Sequence, residues 1–517
     1  MTSNAVVTPH YASADAARQI LAEGGNAVDA AVAAVAVQGV VAPETCGVGG
    51  DLFAIVHAPG WERPRALNAS GRAGSRVSVS DLRSAGHVVV PGDHPAVATV
   101  PGCVDGMAAL IDELGRGTLA DALAPAVTRA SEGFEVSREQ ASAFTRRADV
   151  YSRTPAVASF YPDGRPVAVG DIVTRPRLAQ TLSDVGDGGR SAFYEGDPGR
   201  DIMDAVGGLI TIDDLAADHA DWIEPIGLDV LGLRCWTIPP NSQGYLGPAT
   251  LAVFEMLGPP EDPGDPLWWH LLIEAYRCLA WERDDIVSDP ETAALPADLL
   301  LEGARIERAA ATVDPARAGI WPDRLGHVSG TAYMCVVDAN GMAVSIIQSN
   351  YRGIGSPFSA ARSGFVLQDR GLGFTLTSGH PNELGPGKRP LHTLSPTLWT
   401  TGDRPRWLLG TRGGAVQPQL VAQMGARAIG VGADLEVSQA APRWTVSEFG
   451  LGSRPAPLVE PDTPDHLVAD LRSRGHDVGV VEGPQAGWGP VSIIEVDGDI
   501  RRAAPDPRVD TATALVF

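Results

Sequence analysis

The sequence predicts an α+β fold in which helices are layered on a sheet. Two observations support this prediction. Helix signals are strong near both ends of the chain, and apolar strand signals cluster around position 330. A helix that is apolar along one stripe and a sheet that is apolar on one face must each bury that surface against another element. Helices and strands of this kind therefore stack in layers around a shared core.

Two helices are predicted near the N-terminus. Ser13 is expected to cap the first helix, and Gly24-Gly25 to end it. Asn26 then caps a second helix that is almost entirely Ala and Val. Because this helix is apolar on every face, it is expected to be buried. A glycine-rich tight turn leads from it into a strand over Leu52 to His57.

The middle of the chain, from about Pro101 to Asp314, alternates helical stretches with Gly/Pro-rich loops. Its clearest helix is "DPLWWHLLIEAYRCLAWERDD". We interpret its four aromatic residues as packing residues rather than as part of a cofactor site. They are Trp268, Trp269, Tyr276 and Trp281.

A long β-hairpin is predicted in "HVSGTAYMCVVDANGMAVSIIQS", which runs from His327 to Ser349. Its strands are joined by "DANG", a strong turn signal between apolar runs. A further strand is expected over Gly364 to Gln368. The segment "RWLLGTRGGAVQPQLVAQMGARAI" predicts a strand, a glycine turn and a helix, and "GPVSIIEVDGDIRRA" predicts a closing hairpin.

Composition excludes several classes of protein. The 517 residues are 44% hydrophobic, and 40 basic against 63 acidic residues give a net charge of −23. Nucleic-acid binders carry a basic patch or stripe, which is missing here, so no nucleic-acid partner is expected. The five cysteines are scattered and lack CxxC spacing, which disfavours both a disulfide framework and a zinc site.

The N-terminal residues predict no targeting segment. No basic stretch is followed by an apolar one, as a signal peptide requires. The most apolar early run, from Ala27 to Val37, is too short to span a bilayer and carries Asp29. A cytoplasmic location without membrane association is therefore expected.

The familiar enzyme motifs are missing from the sequence. There is no GxSxG elbow, no HExxH and no P-loop, and "GVGGDL" and "GIGSPF" fail the dinucleotide fingerprint at its last glycine. The eleven histidines show no metal-ligand spacing. We therefore expect neither a metal nor an organic cofactor.

Thr331 directly follows Gly330 at the head of the long hairpin. A threonine hydroxyl is a weak nucleophile and needs a base within hydrogen-bond reach. If the bond between these residues is cut, the new α-amino group, with a pKa of roughly 7.7–8, can take the hydroxyl proton. On the hairpin alone, an ordinary strand start remains the alternative.

A second requirement of such chemistry is a set of fixed N–H donors for the negative charge of the tetrahedral intermediate. The segment "GTRGGAVQPQ" offers Gly413-Gly414 between a strand and a helix. Two glycines allow the backbone to approach a substrate closely. A plain tight turn is the alternative interpretation.

Several segments carry a resemblance to a known family. They are, in order, "GGNAVDAAVAA", "GVGGD", "VPGCVDGMAALIDELGRGTLADALAPAVTRASEGFEVS", "GTAYMCVVDANGMAVS", "GKRPLHTLSPT" and "GTRGG". Together they cover nearly the whole chain. The sequence resembles the gamma-glutamyltransferase (gamma-glutamyltranspeptidase) family, a branch of the N-terminal-nucleophile hydrolases.

The resemblance implies a four-layer αββα sandwich and a proenzyme that cuts itself between Gly330 and Thr331. The products would be a large subunit of residues 1–330 and a small subunit of residues 331–517, which stay associated as one αββα unit. Thr331 would attack an amide carbonyl to form an acyl ester, which water or an amine acceptor releases. Gly413-Gly414 would stabilise the oxyanion. Ser349 matches a hydroxyl that assists the nucleophile, or it is an ordinary strand hydroxyl.

The sequence departs from the family where the glutamyl group is recognised. The family's amide position falls on Tyr351, and its acidic position falls on Leu372, although Asp369 is near. The serine pair that holds the substrate α-carboxylate becomes His392-Thr393. The arginine of the early strand is missing at its usual place, and Arg72 lies two residues later. The loop after Phe374 looks shorter than the family's lid, and the lid tyrosine has no evident counterpart.

These departures resemble the gamma-glutamyltransferase-like amidohydrolases, a subgroup that includes cephalosporin acylase-like and oxamate amidohydrolase-like proteins. We expect a small amide substrate with a carboxylate, held by Arg72 and the Thr393 hydroxyl. His392 would add a donor or serve as a packed structural residue. Two alternatives stay open. One is a true glutathione hydrolase/transferase with an unusual glutamyl pocket, and the other is an inactive homologue that acts as a binding protein.

Overall fold

The computed structural model describes residues 3–321, 330–447, 455–483 and 486–517. In chain order, its strands are β1 (Ala5–Thr8), β2 (Asp51–His57), β3 (Arg65–Ala69), β4 (Phe134–Glu135), β5 (Ile172–Val173), β6 (Asp221–Ile223), β7 (Ile226–Val230), β8 (Leu233–Thr237), β9 (Gly330–Val337), β10 (Ala343–Tyr351), β11 (Ser359–Ala360), β12 (Phe365–Val366), β13 (Thr397–Thr401), β14 (Arg404–Thr411), β15 (Trp444–Ser447), β16 (Ala456–Val459), β17 (Gly479–Val480), β18 (Val491–Asp497), β19 (Ile500–Ala503) and β20 (Thr513–Val516).

The helices, in chain order, are α1 (Tyr11–Ala22), α2 (Ala27–Val41), α3 (Val79–Ser84), α4 (Cys103–Leu114), α5 (Leu119–Glu132), α6 (Arg138–Arg146), α7 (Ala148–Tyr151), α8 (Pro176–Tyr194), α9 (Asp197–Ala205), α10 (Ile212–Ala216), α11 (Leu246–Met256), α12 (Pro266–Ala280), α13 (Arg283–Ile286), α14 (Gly303–Ala310), α15 (Gln417–Met424), α16 (Leu435–Ala440) and α17 (Asp465–Ser473).

Two large antiparallel sheets form the centre of the fold. The first has seven strands in the order β20-β1-β9-β10-β2-β3-β6, and the second has six in the order β19-β18-β14-β13-β8-β7. Strands from before and after Gly330 occur in both sheets. The long hairpin of β9 and β10 lies near the middle of the first sheet, with β1 on one side and β2 on the other.

The two sheets face each other across a shared apolar core. Phe53 and Tyr333 from the first sheet and Leu398, Leu408 and Ile494 from the second belong to one buried cluster. Each of these side chains is at most 1% exposed. Alternation along each strand sends the neighbouring residues to the opposite faces of the sheets, where they meet helices.

Helices cover both outer faces. Helices α1, α2, α4 and α5 contribute to one cluster with the outward side chains of the first sheet, such as Leu52 and Met334. Helices α11, α12 and α15 contribute to another with Trp399, Leu409 and Ile493 of the second sheet. The order of layers is therefore helix, sheet, sheet, helix. The predicted αββα sandwich is confirmed.

The N-terminal helices differ from the prediction in one detail. His10, not Ser13, caps α1, because its Nδ1 accepts the Ala12 N–H at 3.1 Å. Ser13 lies inside the helix, and its hydroxyl donates to Gln38 of α2 at 2.8 Å. Asn26 caps α2 as predicted, and all residues of α2 are buried.

The central hairpin and the closing hairpin are confirmed, as is the strand–glycine turn–helix unit of β14 and α15. The strand expected over Gly364 to Gln368 is shorter, since only Phe365–Val366 pairs in β12. Of the aromatic residues of α12, three are buried as predicted. Trp281 is 59% exposed, because the helix ends at Ala280.

All five cysteines are buried and free. Among the described residues, no helix is both long and apolar enough to span a membrane. The cytoplasmic location itself stays a prediction.

Candidate active site

Thr331 lies at the head of β9 and is 1% exposed. Its Oγ1 lies 2.6 Å from the carbonyl oxygen of Gly330, the residue before it, and 3.2 Å from the Ser349 hydroxyl. Two of the predicted catalytic residues are therefore in direct contact, at the junction where cleavage is expected.

Ser349 is held on β10 by several hydrogen bonds. Its Oγ accepts the Tyr351 N–H at 2.8 Å and an Arg370 Nη2–H at 3.3 Å, and it donates to the Gly330 carbonyl oxygen at 2.8 Å. With its acceptor positions facing N–H donors, the single hydroxyl hydrogen is directed at the Gly330 carbonyl. Ser349 is therefore an oriented donor, not an ordinary strand hydroxyl.

The glycine-rich segment "GVGGD", which leads into the neighbouring strand β2, packs against the backbone of Ser349. A Cβ on Gly50 would lie 2.3 Å from the Ser349 carbonyl oxygen, so no side chain fits there. Asp51 follows directly and pairs with Ser349 in the register of β2 and β10. Its buried carboxylate accepts hydrogen bonds from Gly71 N and Gln368 Nε2 at 2.9 and 2.8 Å.

Gly413 and Gly414 form the turn that follows β14. Their φ angles of 122° and 59° lie in the left-handed region that favours glycine. Within the described parts of the chain, neither amide N–H donates a hydrogen bond to another residue. The Gly414 carbonyl oxygen accepts from Gln243 Nε2 at 3.0 Å. The two N–H groups are thus available for a developing oxyanion.

Thr393 is linked to Ser349 through Arg370, which donates a hydrogen bond to each of the two hydroxyls. Its Oγ1 accepts from Arg370 Nη1 at 3.2 Å, and its carbonyl oxygen accepts from Gln243 Nε2 at 3.1 Å. Because Gln243 also contacts Gly414, an unbroken set of hydrogen bonds joins the Ser349 side of the site to the glycine turn.

His392 is fully buried, and both of its ring nitrogens are occupied. Nε2 contacts Asp51 Oδ2 at 3.0 Å, and Nδ1 accepts the Leu394 N–H at 3.3 Å. Burial, with a smaller contribution from the positive charge of Arg370, lowers the His392 pKa to about 4. The ring is neutral at pH 7 and has no free donor for a substrate. This geometry fits the alternative in which His392 is a packed structural residue.

Arg72 makes its contacts elsewhere: none of the hydrogen bonds or ion pairs found for it among the described residues involves Thr331, Ser349 or Thr393, and its substrate-binding role stays a prediction. Its guanidinium contacts Asp289 Oδ2 at 3.4 Å and the Gly387 carbonyl oxygen at 3.1 Å. It lines a separate cavity of about 650 Å³. The buried Asp289 carboxylate and the Gly387 carbonyl oxygen hold the side chain at this cavity.

The arginine that does reach the site is Arg370, which the sequence interpretation missed. It is fully buried in the turn after β12 and contacts both Ser349 and Thr393. The neighbouring Asp369, considered for amine recognition, instead accepts the Arg352 N–H at 3.0 Å, and burial raises its pKa to about 6. The sequence feature that could have identified Arg370 is the charged pair Asp369-Arg370 within the segment "LQDRGLGF", which is buried in the structure.

A cleft of about 460 Å³ opens beside Gly330. Its lining includes Glu44, Tyr151, Arg352, Arg412 and Gly487. Burial and the nearby Glu139 raise the pKa of Glu44 to about 8. The scissile junction therefore borders solvent-accessible space on one side and the buried Ser349–Arg370 cluster on the other. Among the described residues, no group of three or more His, Cys, Asp or Glu side chains is arranged to hold a metal ion.

The αββα sandwich with a hydroxyl nucleophile at the head of a central strand defines the class of N-terminal-nucleophile hydrolases. Comparison with known proteins agrees. Residues 13–516 match the family described as Gamma-glutamyltranspeptidase. The chain is 34% identical to the glutathione hydrolase-like YwrD proenzyme of Bacillus subtilis (strain 168), covering 99% of this chain and 98% of the relative.

Two further relatives are similar over their full lengths. The oxamate amidohydrolase proenzyme of Klebsiella pneumoniae is 32% identical, with 99% of this chain and 98% of the relative covered. The crystal structure of cephalosporin acylase from Bacillus halodurans superposes with a TM-score of 0.91 at 30% identity, covering 99% of this chain and 96% of that one. The chain belongs to the gamma-glutamyltranspeptidase family. It is an autoprocessing amidohydrolase or acyltransferase of the N-terminal-nucleophile class.

Proposed function

We propose that this enzyme cuts its own Gly330–Thr331 bond and then hydrolyses the amide of a small, carboxylate-bearing substrate through an acyl-Thr331 ester. The observation that carries the proposal is the contact between three groups. The Thr331 hydroxyl lies 2.6 Å from the Gly330 carbonyl oxygen, and Ser349 contacts both.

In the self-cleavage step, Thr331 Oγ1 attacks the carbonyl carbon of Gly330. The C–N bond between the two residues breaks as the new C–O bond forms, and the released nitrogen takes up a proton. Water then hydrolyses the ester, which leaves a carboxylate on Gly330 and a free α-amino group on Thr331. Ser349 donates to the carbonyl oxygen on which negative charge develops, which is the kind of contact that lowers such barriers.

In the amide-hydrolysis step, the new α-amino group serves as the base. Its ordinary pKa of roughly 7.7–8 leaves a useful fraction unprotonated near neutral pH. Thr331 Oγ1 then attacks the substrate carbonyl as its proton passes to the α-amino group, and the N–H groups of Gly413 and Gly414 stabilise the oxyanion. The substrate C–N bond breaks, the α-amino group returns the proton to the leaving amine, and the acyl-Thr331 ester remains. Water releases the acid and regenerates the enzyme. An amine acceptor in place of water gives acyl transfer.

The proposed substrate class follows from the residues around the nucleophile. Tyr351 and Leu372 stand where the family binds the glutamyl α-amine, and neither supplies the amide or carboxylate that this contact needs. The polar side chains that remain around Thr331 are basic and hydroxyl groups, which are suited to bind a carboxylate. Oxamate, in the name of the Klebsiella relative, is one amide of this class. This favours a small acid amide over a glutathione-type substrate.

The test has two parts. Intact mass spectrometry and N-terminal sequencing should find two pieces, the second beginning at Thr331. Thr331→Ala should stay whole and inactive, and Thr331→Ser should recover both cleavage and some activity. The purified enzyme should hydrolyse succinyl-p-nitroanilide faster than gamma-glutamyl-p-nitroanilide. A cut elsewhere, or an active uncut protein, would contradict the mechanism. Faster gamma-glutamyl hydrolysis would favour the glutathione hydrolase alternative.

A further inference from the structure

Arg370 is placed unusually close to the nucleophile. Its Nη2 donates to Ser349 Oγ at 3.3 Å, and the same oxygen lies 3.2 Å from Thr331 Oγ1. The guanidinium and the nucleophile therefore share one hydroxyl oxygen as a neighbour. Arg370 itself is 0% exposed. A positive charge is thus buried two hydrogen bonds from the reacting atom.

No carboxylate in the described part of the chain forms a direct ion pair with this charge, although the negative charges of Asp51 and Asp369 act on it from a longer distance. Among the described residues, no Asp or Glu oxygen lies within 4.0 Å of the Arg370 guanidinium, and its Nε is buried without a hydrogen-bond partner. Arg175 and Arg427 are likewise buried without a carboxylate within 4.0 Å among the described residues, but several other buried arginines are paired. Their ion pairs are Arg283–Asp284, Arg389–Asp221, Arg443–Asp506 and Arg508–Glu460, each at 2.5–2.6 Å. An unpaired buried charge is costly, so the site is arranged to be completed by an anion.

The Tyr351 ring covers one face of the guanidinium. The Arg370 Cζ lies 4.1 Å from the ring centre, so the aromatic face covers one side of the cation. Tyr351 holds a left-handed backbone with φ 76°, next to a register shift between β9 and β10. Bulky residues keep this conformation only where the surroundings enforce it. On the Nε–Nη2 edge, Nε has no partner and Nη2 donates one hydrogen to Ser349, so a carboxylate gripped there with two bonds would accept from Nε–H and from the second Nη2–H.

We propose that Arg370, and not Arg72, is the specificity-determining residue that binds the carboxylate on the acyl side of the substrate. This inference rests on the proposed function. The acyl side is indicated because the Gly330 carbonyl, the acyl group of the self-cleavage step, contacts the same Ser349 hydroxyl as Arg370. In the uncut chain, the Gly330 carbonyl occupies the position that the attacked carbonyl of a substrate would take. Cleavage separates Gly330 from Thr331 and opens this position to substrate.

The spacing limits the length of the acyl group. Because Thr331 Oγ1 and Arg370 Nη2 both lie within hydrogen-bond distance of one oxygen, the attacked carbonyl and the carboxylate must be close together. A chain of about one to three bonds between the two carbon atoms spans this distance without folding back. Oxalyl, malonyl and succinyl monoamides therefore fit, whereas glutaryl and adipyl monoamides are too long.

The experiment compares a monoacid anilide with its methyl ester. The kcat/KM for succinyl-p-nitroanilide and for the methyl ester is measured per molecule with a free N-terminal Thr331, in the wild type and in Arg370→Lys. Lysine keeps the charge but cannot form the two-bond grip. Arg370→Lys should lower kcat/KM for the acid roughly ten- to hundredfold and for the ester by less than about threefold.

Two matched variants serve as controls. Arg175→Lys changes another fully buried arginine, one that bonds to backbone carbonyls of Gly39, Val40 and Gly364 and not to the Thr331 cluster. It should affect acid and ester equally. Arg72→Lys tests the competing assignment. If Arg72→Lys discriminates between acid and ester and Arg370→Lys does not, the proposal is overturned.

A measurement on the wild type decides the question if Arg370→Lys fails to fold or to process. The acid should be preferred over its methyl ester by at least about tenfold, and kcat/KM should fall sharply between succinyl and glutaryl anilides. An enzyme that is cut and active, yet shows neither preference, lacks this carboxylate site. An enzyme that is uncut or inactive on every amide would instead overturn the proposed function itself.

Discussion

The Ser349 hydroxyl donates a 2.8 Å hydrogen bond to the carbonyl oxygen of Gly330. This contact joins the second strand of the central hairpin to the first across the scissile junction. The N–H of Tyr351 and the guanidinium of Arg370 face the same hydroxyl as donors, so its hydrogen has one direction to point. Ser349 is thereby prepared to stabilise charge on this carbonyl before any substrate is present.

Ser349→Ala should slow self-cleavage by roughly 10²–10³-fold, the usual cost of removing one oxyanion donor. Ser349→Thr keeps a hydroxyl and should recover much of the rate. The measurement is the time course of precursor disappearance on a denaturing gel. Ser345→Ala, on the same strand but bonded to the Tyr333 hydroxyl, is the control and should cleave normally. Normal cleavage in Ser349→Ala would remove this residue from the mechanism.

Gly413→Ala should lower kcat roughly 10²–10³-fold while leaving self-cleavage intact. At φ 122°, an added Cβ would meet the Gly487 carbonyl oxygen at 2.9 Å, so the turn and its N–H groups must shift. Gly432→Ala also introduces a side chain at positive φ, but into open space, and so controls for backbone strain. Equal losses of kcat in the two variants would argue against an oxyanion role.

Tyr351→Phe should keep kcat/KM for acid substrates within about threefold, because the ring that covers Arg370 remains. Tyr351→Gly relieves a left-handed strain of about 1–2 kcal/mol but removes the ring. Its kcat/KM for acids should fall about five- to tenfold, as expected for a lost cation–π contact. Thermal unfolding measured in parallel should show no large loss of stability. A Tyr351→Gly enzyme with full activity would contradict the covering role.

Glu44→Gln should stabilise the folded protein more at pH 8 than at pH 5. Burial raises the folded-state pKa of Glu44 from 4.5 to about 8, so between these pH values the folded state holds a proton that the unfolded state has lost. The contribution of Glu44 to stability therefore falls as pH rises through this window. Chemical denaturation of uncut Thr331→Ala protein, with and without Glu44→Gln, measures the effect.

Exhaustive chelation should leave the rate of amide hydrolysis unchanged, because the proposed steps use only the Thr331 hydroxyl and amine and backbone donors. The assay compares chelated and untreated enzyme on the same anilide. Activity that is lost on chelation and restored by an added metal ion would require a different mechanism.

The sequence predicted the parts of the site that depend on local pattern. Thr331, Ser349 and the glycine pair lie on or next to strands whose apolar runs and turn residues are visible in the chain. The layers could be predicted for the same reason, since each strand and helix carries its own periodicity. The helix cap was wrong by three positions because His10 can accept an N–H as Ser13 can.

The positions of the Arg72 and Arg370 side chains could not be predicted from the residues next to them in the sequence. Arg72 follows a strand that ends near Asp51, yet its side chain turns to Asp289, more than two hundred positions further along the chain. Arg370 reaches Ser349 only because the turn after β12 folds back on β10. A long-range ion pair holds Arg72, and long-range hydrogen bonds to Ser349 and Thr393 hold Arg370; hydrophobic periodicity carries no information about either.

Because both sheets contain strands from before and after Gly330, the proposed cleavage there would be irreversible with respect to refolding as a single chain. Before the cut, an unfolded chain can return to its fold alone. After the cut, the same sheets must be rebuilt from two separate chains, so recovery becomes second order in concentration. Diluted, denatured enzyme should stay unfolded where the uncut Thr331→Ala protein refolds. The uncut precursor is thus the form of this protein that can refold as a single chain.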